Sequence, residues 1–170
     1  DAALARLHTS TNMDEAFKNA DLVVEAAPEN LELKKKLFAQ IDKIAPKHAI
    51  LGSNTSTLSI TELGKVTSRP DKVVGLHFFN PAQMMPLLEI IKGAQTSDET
   101  AKFALDLAKK LGKTPITAND GPGFFTTRYI ASWIAEAIRL YEQGVANIQE
   151  IDAMSKMAFN WPQGPFELAD

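Results

Sequence analysis

The sequence Asp21-Leu22-Val23-Val24-Glu25-Ala26 is a short, almost wholly apolar run, which predicts a β-strand covered on both faces. Residues 31–45 follow it with apolar side chains at helical spacing on one face and the lysines of residues 34–36 on another, until Pro46 ends the pattern. A strand is therefore followed by an amphipathic helix. Three further runs have the length and apolar content of buried strands, namely residues 49–52, 73–76 and 87–91. This alternation predicts an α/β fold with a mostly parallel sheet.

The pattern changes near residue 120. Before that point, the capping-box spacing of Thr96 and Glu99 predicts the start of a helix, and Gly112 stands where this helix would end. After Asp120-Gly121-Pro122-Gly123 the strand-like runs stop and two long helical patterns follow, whose Trp and Met side chains are expected in a core. We therefore predict two domains, an α/β domain over residues 1–120 and the beginning of an all-helical domain over residues 121–170.

The composition is that of an ordinary globular chain, since apolar residues make up 45% and charged residues 23% of the 170. No apolar stretch approaches the roughly 18 residues of a membrane-spanning helix, so we expect a soluble protein with no membrane partner. The 18 basic and 21 acidic residues are interspersed and give a net charge of −3, which argues against nucleic acid as a partner. The absence of cysteine excludes disulfides and thiolate metal sites and fits a reducing compartment, so we expect a cytoplasmic location.

Polar residues follow three of the predicted strands, at the edge where a parallel sheet binds ligands. Glu25 and Glu29 follow the first strand, Asn54-Thr55-Ser56 follows the second, and His77-Phe78-Phe79-Asn80-Pro81 follows the third. Taken alone, residues 54–56 are typical of a turn or a helix cap. Taken with the other two groups, they are a candidate polar wall of a ligand site.

His77 and Glu89 are the most informative pair among these residues. Glu89 interrupts the apolar run Leu87-Leu88-Glu89-Ile90-Ile91, where an unpaired carboxylate would be costly. A carboxylate bonded to one imidazole nitrogen leaves the other nitrogen as an acceptor and stabilises the imidazolium, as general-base catalysis requires. A core ion pair without a catalytic role is the alternative, and the spacing alone does not separate the two. His8 and His48 stand in polar surroundings and are not expected to have a functional role.

Five blocks of the sequence carry a resemblance. They are Ala20-Asp21-Leu22-Val23-Val24-Glu25-Ala26, Ser53-Asn54-Thr55-Ser56-Thr57-Leu58, His77-Phe78-Phe79-Asn80-Pro81 with Pro86-Leu87-Leu88-Glu89, Pro122-Gly123-Phe124, and Gly164-Pro165-Phe166. In this order and spacing they resemble the NAD-dependent 3-hydroxyacyl-CoA dehydrogenases of fatty-acid β-oxidation and their relatives, over nearly all of the chain. No single block is specific, but the five in register are. The resemblance implies a partial Rossmann-type domain, followed by the start of an all-helical domain that carries the contacts of a homodimer.

Residue by residue, the resemblance implies an oxidoreductase that uses NAD and an acyl-CoA substrate, interconverting (3S)-3-hydroxyacyl-CoA and 3-oxoacyl-CoA. His77 would be the catalytic base that takes the proton of the 3-hydroxyl group, and Glu89 would orient and polarise it. Ser56 would hold the substrate oxygen near the nicotinamide. The remaining implied contacts are Glu29, Lys34, Ser56 and Asn80 with the cofactor, Asn54 as a weaker candidate beside them, and Thr127 with the substrate.

Two departures from the family pattern count against a complete enzyme. Thr127 stands at the position of a family Asn that contacts substrate, and its hydroxyl can donate only one hydrogen bond. The Gly-rich turn that cradles the pyrophosphate and the acidic residue for the adenosine ribose are not found. The chain also opens at Asp1 without a methionine or leader and closes at Asp170 inside an apparent helix start. We therefore expect an internal piece of a longer protein.

Other functions remain open from the sequence. A non-catalytic binding or structural relative with the same fold is favoured by Thr127, whereas His77 and Glu89 favour the enzyme. A related β-hydroxyacid dehydrogenase acting on a free acid would have a lysine as its central catalytic residue, where this sequence offers His77. The resemblance fits a separate dehydrogenase and the dehydrogenase part of a protein with an enoyl-CoA hydratase equally well.

Overall fold

The structure is a computed structural model that describes residues 4–170, so the Asp1 start noted above lies outside the described residues. The chain divides into two compact units, Asp1–Phe124 and Phe125–Asp170. This division falls four residues beyond residue 120, where the sequence placed the boundary.

The first unit is built on a five-stranded sheet in which the strands follow one another in chain order. The strands are β1 (Leu22–Glu25), β2 (Ile50–Ser53), β3 (Val73–Phe78), β4 (Leu87–Lys92) and β5 (Thr114–Asn119). Neighbouring strands are parallel except β3 and β4, which are antiparallel. The predicted α/β fold with a mostly parallel sheet is confirmed. The sequence did not predict β5, because its residues are mixed in polarity and include Pro115, which a strand at the end of a sheet tolerates.

Four α-helices accompany the sheet, together with 3-10 turns at Leu4–Arg6 and Pro70–Lys72. The helices are α1 (Met13–Phe17), α2 (Leu31–Ile44), α3 (Ile60–Gly64) and α4 (Asp98–Lys110). The predicted cap of α4 at Thr96 is wrong, because Ser97 accepts the hydrogen bond from the Thr100 amide. Thr96 is buried and instead donates its hydroxyl to the Val73 carbonyl. Gly112 follows α4 with a φ of 71°, as expected of the residue that ends a helix.

The strands β1 to β4 are largely apolar because helices pack on both faces of the sheet. One layer combines strand residues with side chains of α2 and α3, including Val23, Phe38, Ile41, Leu51 and Leu63. The other layer combines strand residues with α4: Val74, Leu76, Leu88, Ile90, Ala104 and Ala108. The expectation that residues 34–36 all lie on a polar face of α2 is wrong, because Lys34 falls on the same helical stripe as Phe38 and Ile41 and is buried.

The second unit contains α5 (Thr126–Glu142), α6 (Ile148–Phe159) and α7 (Pro165–Ala169). Trp133 and Trp161 are half-buried and meet edge to face, with ring centroids 4.4 Å apart. The expectation of core methionines is wrong, because Met154 and Met157 on α6 are 43% and 81% exposed. Gly164 is required at its position, since a Cβ atom there would overlap the side chain and Cα atom of Asp152. Within residues 4–170, no helix is long and apolar enough to cross a membrane.

Candidate active site

The carboxyl ends of β1, β2 and β3 lie at one edge of the sheet because these three strands are parallel neighbours. Glu25 and Ser53 are register partners at the ends of β1 and β2, and Ser53 is in turn the partner of Gly75 in β3. The last two residues of β3, His77 and Phe78, therefore extend beyond the end of β2. This arrangement brings together polar groups that are far apart in the sequence.

His77 and Glu89 are in direct contact. They are register partners across the antiparallel pair β3 and β4, and Nδ1 of His77 lies 2.9 Å from Oε2 of Glu89. Glu89 is fully buried and His77 is 5% exposed, while the rings of Phe79 and Phe124 lie against the imidazole at centroid distances of 4.5 and 6.1 Å. A carboxylate can only accept here, so we assign the proton to Nδ1 and leave Nε2 as a hydrogen-bond acceptor.

Glu29 holds the loop that follows β2. Its Oε1 atom accepts hydrogen bonds from the Ser56 amide at 3.1 Å, from the Thr57 amide and hydroxyl at 3.3 and 3.1 Å, and from the Thr55 hydroxyl. Partial burial alone would raise the pKa of Glu29, but these hydrogen bonds and the charge of Lys34 lower it below its ordinary value. The Ser56 hydroxyl itself forms no hydrogen bond within the described part of the chain. It is therefore available to a ligand.

Lys34 lies beneath this loop as a buried cation. Its ammonium donates to Oε1 of Glu25 at 2.7 Å and to the Ala27 carbonyl at 2.8 Å, and lies 3.5 Å from Oε2 of Glu29. Ser53 donates its hydroxyl to the second oxygen of Glu25 at 2.7 Å. Sequence reasoning missed the pairing of Glu25 with Lys34 and the contribution of Ser53. The position of Lys34 on the apolar stripe of α2 is the signal that could have found it.

The other predicted site residues have more varied environments. Asn54 uses its side-chain oxygen to accept a hydrogen bond from the Phe78 amide at 2.8 Å. Asn80 is exposed, just beyond the end of β3. Thr127 belongs to the second unit, where it is half-buried in the first turn of α5. The structure thus brings together His77 with Glu89, and Glu29 with Lys34 and the backbone of Ser56.

His8 and His48 are exposed, and His48 lies 2.8 Å from the carboxylate of Asp21. Among residues 4–170, no group of three or more His, Cys, Asp or Glu side chains could hold a metal ion.

The first unit is an α/β domain with a candidate ligand site at the carboxyl edge of its sheet, and comparison with known proteins gives the family. Residues 1–121 match the family model of the 3-hydroxyacyl-CoA dehydrogenase NAD binding domain, and residues 123–170 match that of the 3-hydroxyacyl-CoA dehydrogenase C-terminal domain. The chain belongs to the 3-hydroxyacyl-CoA dehydrogenase family.

Individual relatives are similar over almost the whole chain. The mitochondrial hydroxyacyl-coenzyme A dehydrogenase of Rattus norvegicus is 47% identical over 167 residues, which are 98% of this chain and 53% of that protein. The probable 3-hydroxybutyryl-CoA dehydrogenase of Bacillus subtilis is 45% identical over 169 residues, covering 99% and 58% of the two chains. The crystal structure of (S)-3-hydroxybutyryl-CoA dehydrogenase from Ralstonia eutropha superposes with a TM-score of 0.94 at 47% identity, covering 99% and 59%. The chain spans about half the length of the curated relatives it matches.

Proposed function

We propose that the protein is an NAD-dependent oxidoreductase that interconverts (3S)-3-hydroxyacyl-CoA and 3-oxoacyl-CoA. The observation that carries the proposal is the buried contact of His77 with Glu89, at the same sheet edge as the loop of Ser56. A carboxylate that fixes one imidazole nitrogen as a donor prepares the other to accept a proton, and it stabilises the imidazolium that results. The catalytic role, rather than a core ion pair alone, is supported by the position of His77 on β3 beyond the end of the neighbouring strand β2, at the edge where a parallel sheet binds ligands.

The proposed reaction assigns one task to each group. The Ser56 hydroxyl holds the substrate oxygen, Nε2 of His77 accepts the proton of the 3-hydroxyl group, and Glu89 keeps the imidazole oriented and balances its charge. NAD, when bound, supplies the acceptor for the hydride that leaves C3 of the substrate. In the reverse direction, His77 returns the proton to the oxygen.

The residues at this edge fit the nicotinamide side of an NAD site. Within residues 4–170 the Ser56 hydroxyl forms no hydrogen bond, Asn80 is exposed, and the lowered pKa of Glu29 keeps its carboxylate charged. We propose that Glu29, Ser56 and Asn80 hold the cofactor. Lys34 would contribute indirectly, by fixing Glu25 and Glu29, because its own ammonium is already hydrogen-bonded and buried.

The proposal extends to the biological setting. It places the reaction in fatty-acid β-oxidation or a related short-chain acyl-CoA pathway, in a reducing compartment such as the cytoplasm, which the lack of cysteine supports. The first unit would be the C-terminal portion of the NAD-binding domain, and the second the beginning of a substrate and dimerisation domain. The exposed apolar side chains of α6, such as Met157, support a homodimer through the helical domain.

The test is the substitution His77→Gln in the full-length protein that carries this sequence. Loss of the general base should lower kcat by about two to four orders of magnitude and leave NAD affinity nearly unchanged. Turnover is followed by NADH absorbance with acetoacetyl-CoA, and NAD binding by calorimetry. His48→Gln is the matched control, because His48 also contacts a carboxylate but is exposed. Near-normal turnover of the His77 variant would refute the assignment.

A non-catalytic binding relative is the second candidate, and Thr127 in place of the family Asn favours it. The same assay separates the two functions. A binding relative would show no turnover in its unaltered form while still binding NAD or an acyl-CoA.

A further inference from the structure

We propose that Asn54 is a positioning residue that ties the loop of Ser56 to the strand end that carries His77. The inference rests on the proposed function, in which Ser56 holds the substrate oxygen and His77 accepts the proton from the same oxygen. Asn54 itself need not touch substrate or cofactor, because its side-chain oxygen is already bonded to the Phe78 amide.

The hydrogen-bond ladder between β2 and β3 ends before β3 does. The two strands pair in register up to Ser53 and Gly75, and β3 continues for three more residues. Beyond Ser53, the side chain of Asn54 supplies the acceptor that a longer β2 would have offered, and the Phe78 amide donates to it at 2.8 Å. The backbone N–H of Asn54 donates in turn to the backbone carbonyl of Glu25 at 2.8 Å. Asn54 is therefore joined to the ends of both neighbouring strands.

Asn54 connects the loop that carries Ser56 with the end of β3. Two residues further along the chain, the Ser56 amide is fixed by Glu29. On β3, Phe78 is the immediate neighbour of His77, whose ring is held by Glu89 from β4. The end of β3 is thus fixed by Asn54 on the side of β2 and by Glu89 on the side of β4. Asn54 therefore links the segment of Ser56 to the segment of His77 and fixes their relative positions.

Proton transfer from a bound hydroxyl to an imidazole requires the two heavy atoms to lie within hydrogen-bond distance, and a misplacement of about 1 Å can lower the rate by about 100-fold. A residue that fixes the spacing of Ser56 and His77 should therefore influence kcat more than cofactor binding. A merely structural residue should lower stability without this selectivity.

The experiment compares two ends of the same strand in the full-length protein. Asn54→Leu removes the bond to the Phe78 amide, and Thr96→Val removes the 2.6 Å bond to the Val73 carbonyl at the opposite end of β3. Both variants should lower the Tm. Only Asn54→Leu should also lower kcat, by roughly 10- to 100-fold, with KM for NAD changed by less than about 3-fold. Asn54→Asp, which keeps an oxygen acceptor, should restore most of kcat. Equal kcat values for Asn54→Leu and Thr96→Val would overturn the proposal.

A second readout does not depend on turnover. In NMR spectra of protein labelled with ¹⁵N only in histidine, the ring signals of His77 are identified as those that disappear in His77→Gln. The chemical shifts of these signals should change in Asn54→Leu and stay unchanged in Thr96→Val. Unchanged His77 signals in Asn54→Leu would refute the positioning role. If the unaltered protein has no dehydrogenase turnover, the proposed function fails, and the His77 signals alone decide whether Asn54 positions the imidazole.

Discussion

The ammonium group of Lys34 is nearly removed from solvent and lies between two carboxylates. The Lys34 side chain is 1% exposed and donates to Glu25, which is 5% exposed, while the Glu29 carboxylate lies 3.5 Å from the ammonium. Two charges taken out of water must be compensated by each other and by further hydrogen bonds. Ser53 and the Ala27 amide supply these bonds to Glu25. The group is therefore a closed network in which each charged member depends on the others.

Lys34→Met should lower the free energy of unfolding by about 3–5 kcal/mol, because it leaves the Glu25 carboxylate buried without its cation. The double variant Lys34→Met with Glu25→Gln should recover part of this loss, since the uncompensated charge is then removed. Urea unfolding of the unaltered protein, the single variant and the double variant measures the effect. Lys36→Met is the control, because Lys36 lies on the same helix and is exposed, and it should unfold like the unaltered protein. A Lys34 variant as stable as that control would contradict the argument.

Residue types alone could predict some of these contacts and not others. Glu89 was informative because a carboxylate inside an apolar strand needs a partner, and His77 is its neighbour in the structure. Lys34 was missed although it falls on the apolar stripe of α2, because lysine in an amphipathic helix normally faces solvent. Its burial depends on the rotation of α2 about its axis, which places Leu33 at 37% exposure and Lys34 on the inner face.

Among the elements of the first unit, the end of α2 is anchored by an ion pair. Asp42 accepts hydrogen bonds from the Ser68 amide at 2.8 Å and from Nε of Arg69 at 2.6 Å, and Arg69 also donates to the carbonyl groups of Asp42 and Ala45. Burial alone would raise the pKa of Asp42, but the bonds from Ser68 and Arg69 lower it below its ordinary value. Arg69 thereby joins the C-terminal end of α2 to the turn before β3.

This anchor predicts a stability that depends on pH. A carboxylate whose pKa is lower in the folded state stabilises the protein fully above its unfolded pKa, near 4, and loses this contribution as the pH falls through the folded value. The urea midpoint should therefore fall as the pH is lowered from about 5 to about 3. Asp42→Asn should lower the urea midpoint at pH 7. It should also make the fall of the midpoint on acidification smaller than in the unaltered protein. Parallel pH profiles for the two proteins would show that Asp42 does not contribute in this way.

The elements themselves were predictable where the pattern was simple. The apolar runs predicted β1 to β4, and the break near residue 120 predicted the change to helices. The start of α4 was misplaced by one residue because both Thr96 and Ser97 can cap a helix, and the bond of Thr96 to β3 decides between them. The strand β5 was missed because its pairing with β4 depends on tertiary contacts rather than on an apolar run.

For the molecule as a whole, the candidate site depends on chain order in the sheet. Parallel neighbours bring Glu25, Ser53 and the end of β3 to one edge, which the alternation of strands and helices predicted in outline. The antiparallel direction of β4 was not predictable, although it is what makes Glu89 the register partner of His77. The hydrogen bonds of Asn54 and Glu29 depend on loop conformations and side-chain rotamers, which sequence patterns do not specify.

The same architecture predicts how the 170-residue chain behaves when it is produced alone. These residues contain no Gly-x-Gly-x-x-Gly turn, so the helix N-terminus and backbone amides that bind a pyrophosphate in such folds are not supplied by them. The proposed cofactor contacts of Glu29, Ser56 and Asn80 would reach only the nicotinamide half of NAD. We therefore expect the isolated chain to bind NAD at least about 100-fold more weakly than the full-length protein. This ratio corresponds to a difference of roughly 3 kcal/mol in binding free energy.

Calorimetry with both proteins measures this difference, and the histidine signals of His77 in the isolated chain serve as the check that its site is folded. The isolated chain should also tend to associate, because among the described strands β1 pairs only with β2 and Val24 is 41% exposed. Micromolar NAD binding by the isolated, folded chain would instead mean that the pyrophosphate is bound within residues 1–170. In that case the edge formed by β1, β2 and β3 would not be limited to the nicotinamide side, and the assignment of Glu29 and Ser56 would need to change with it.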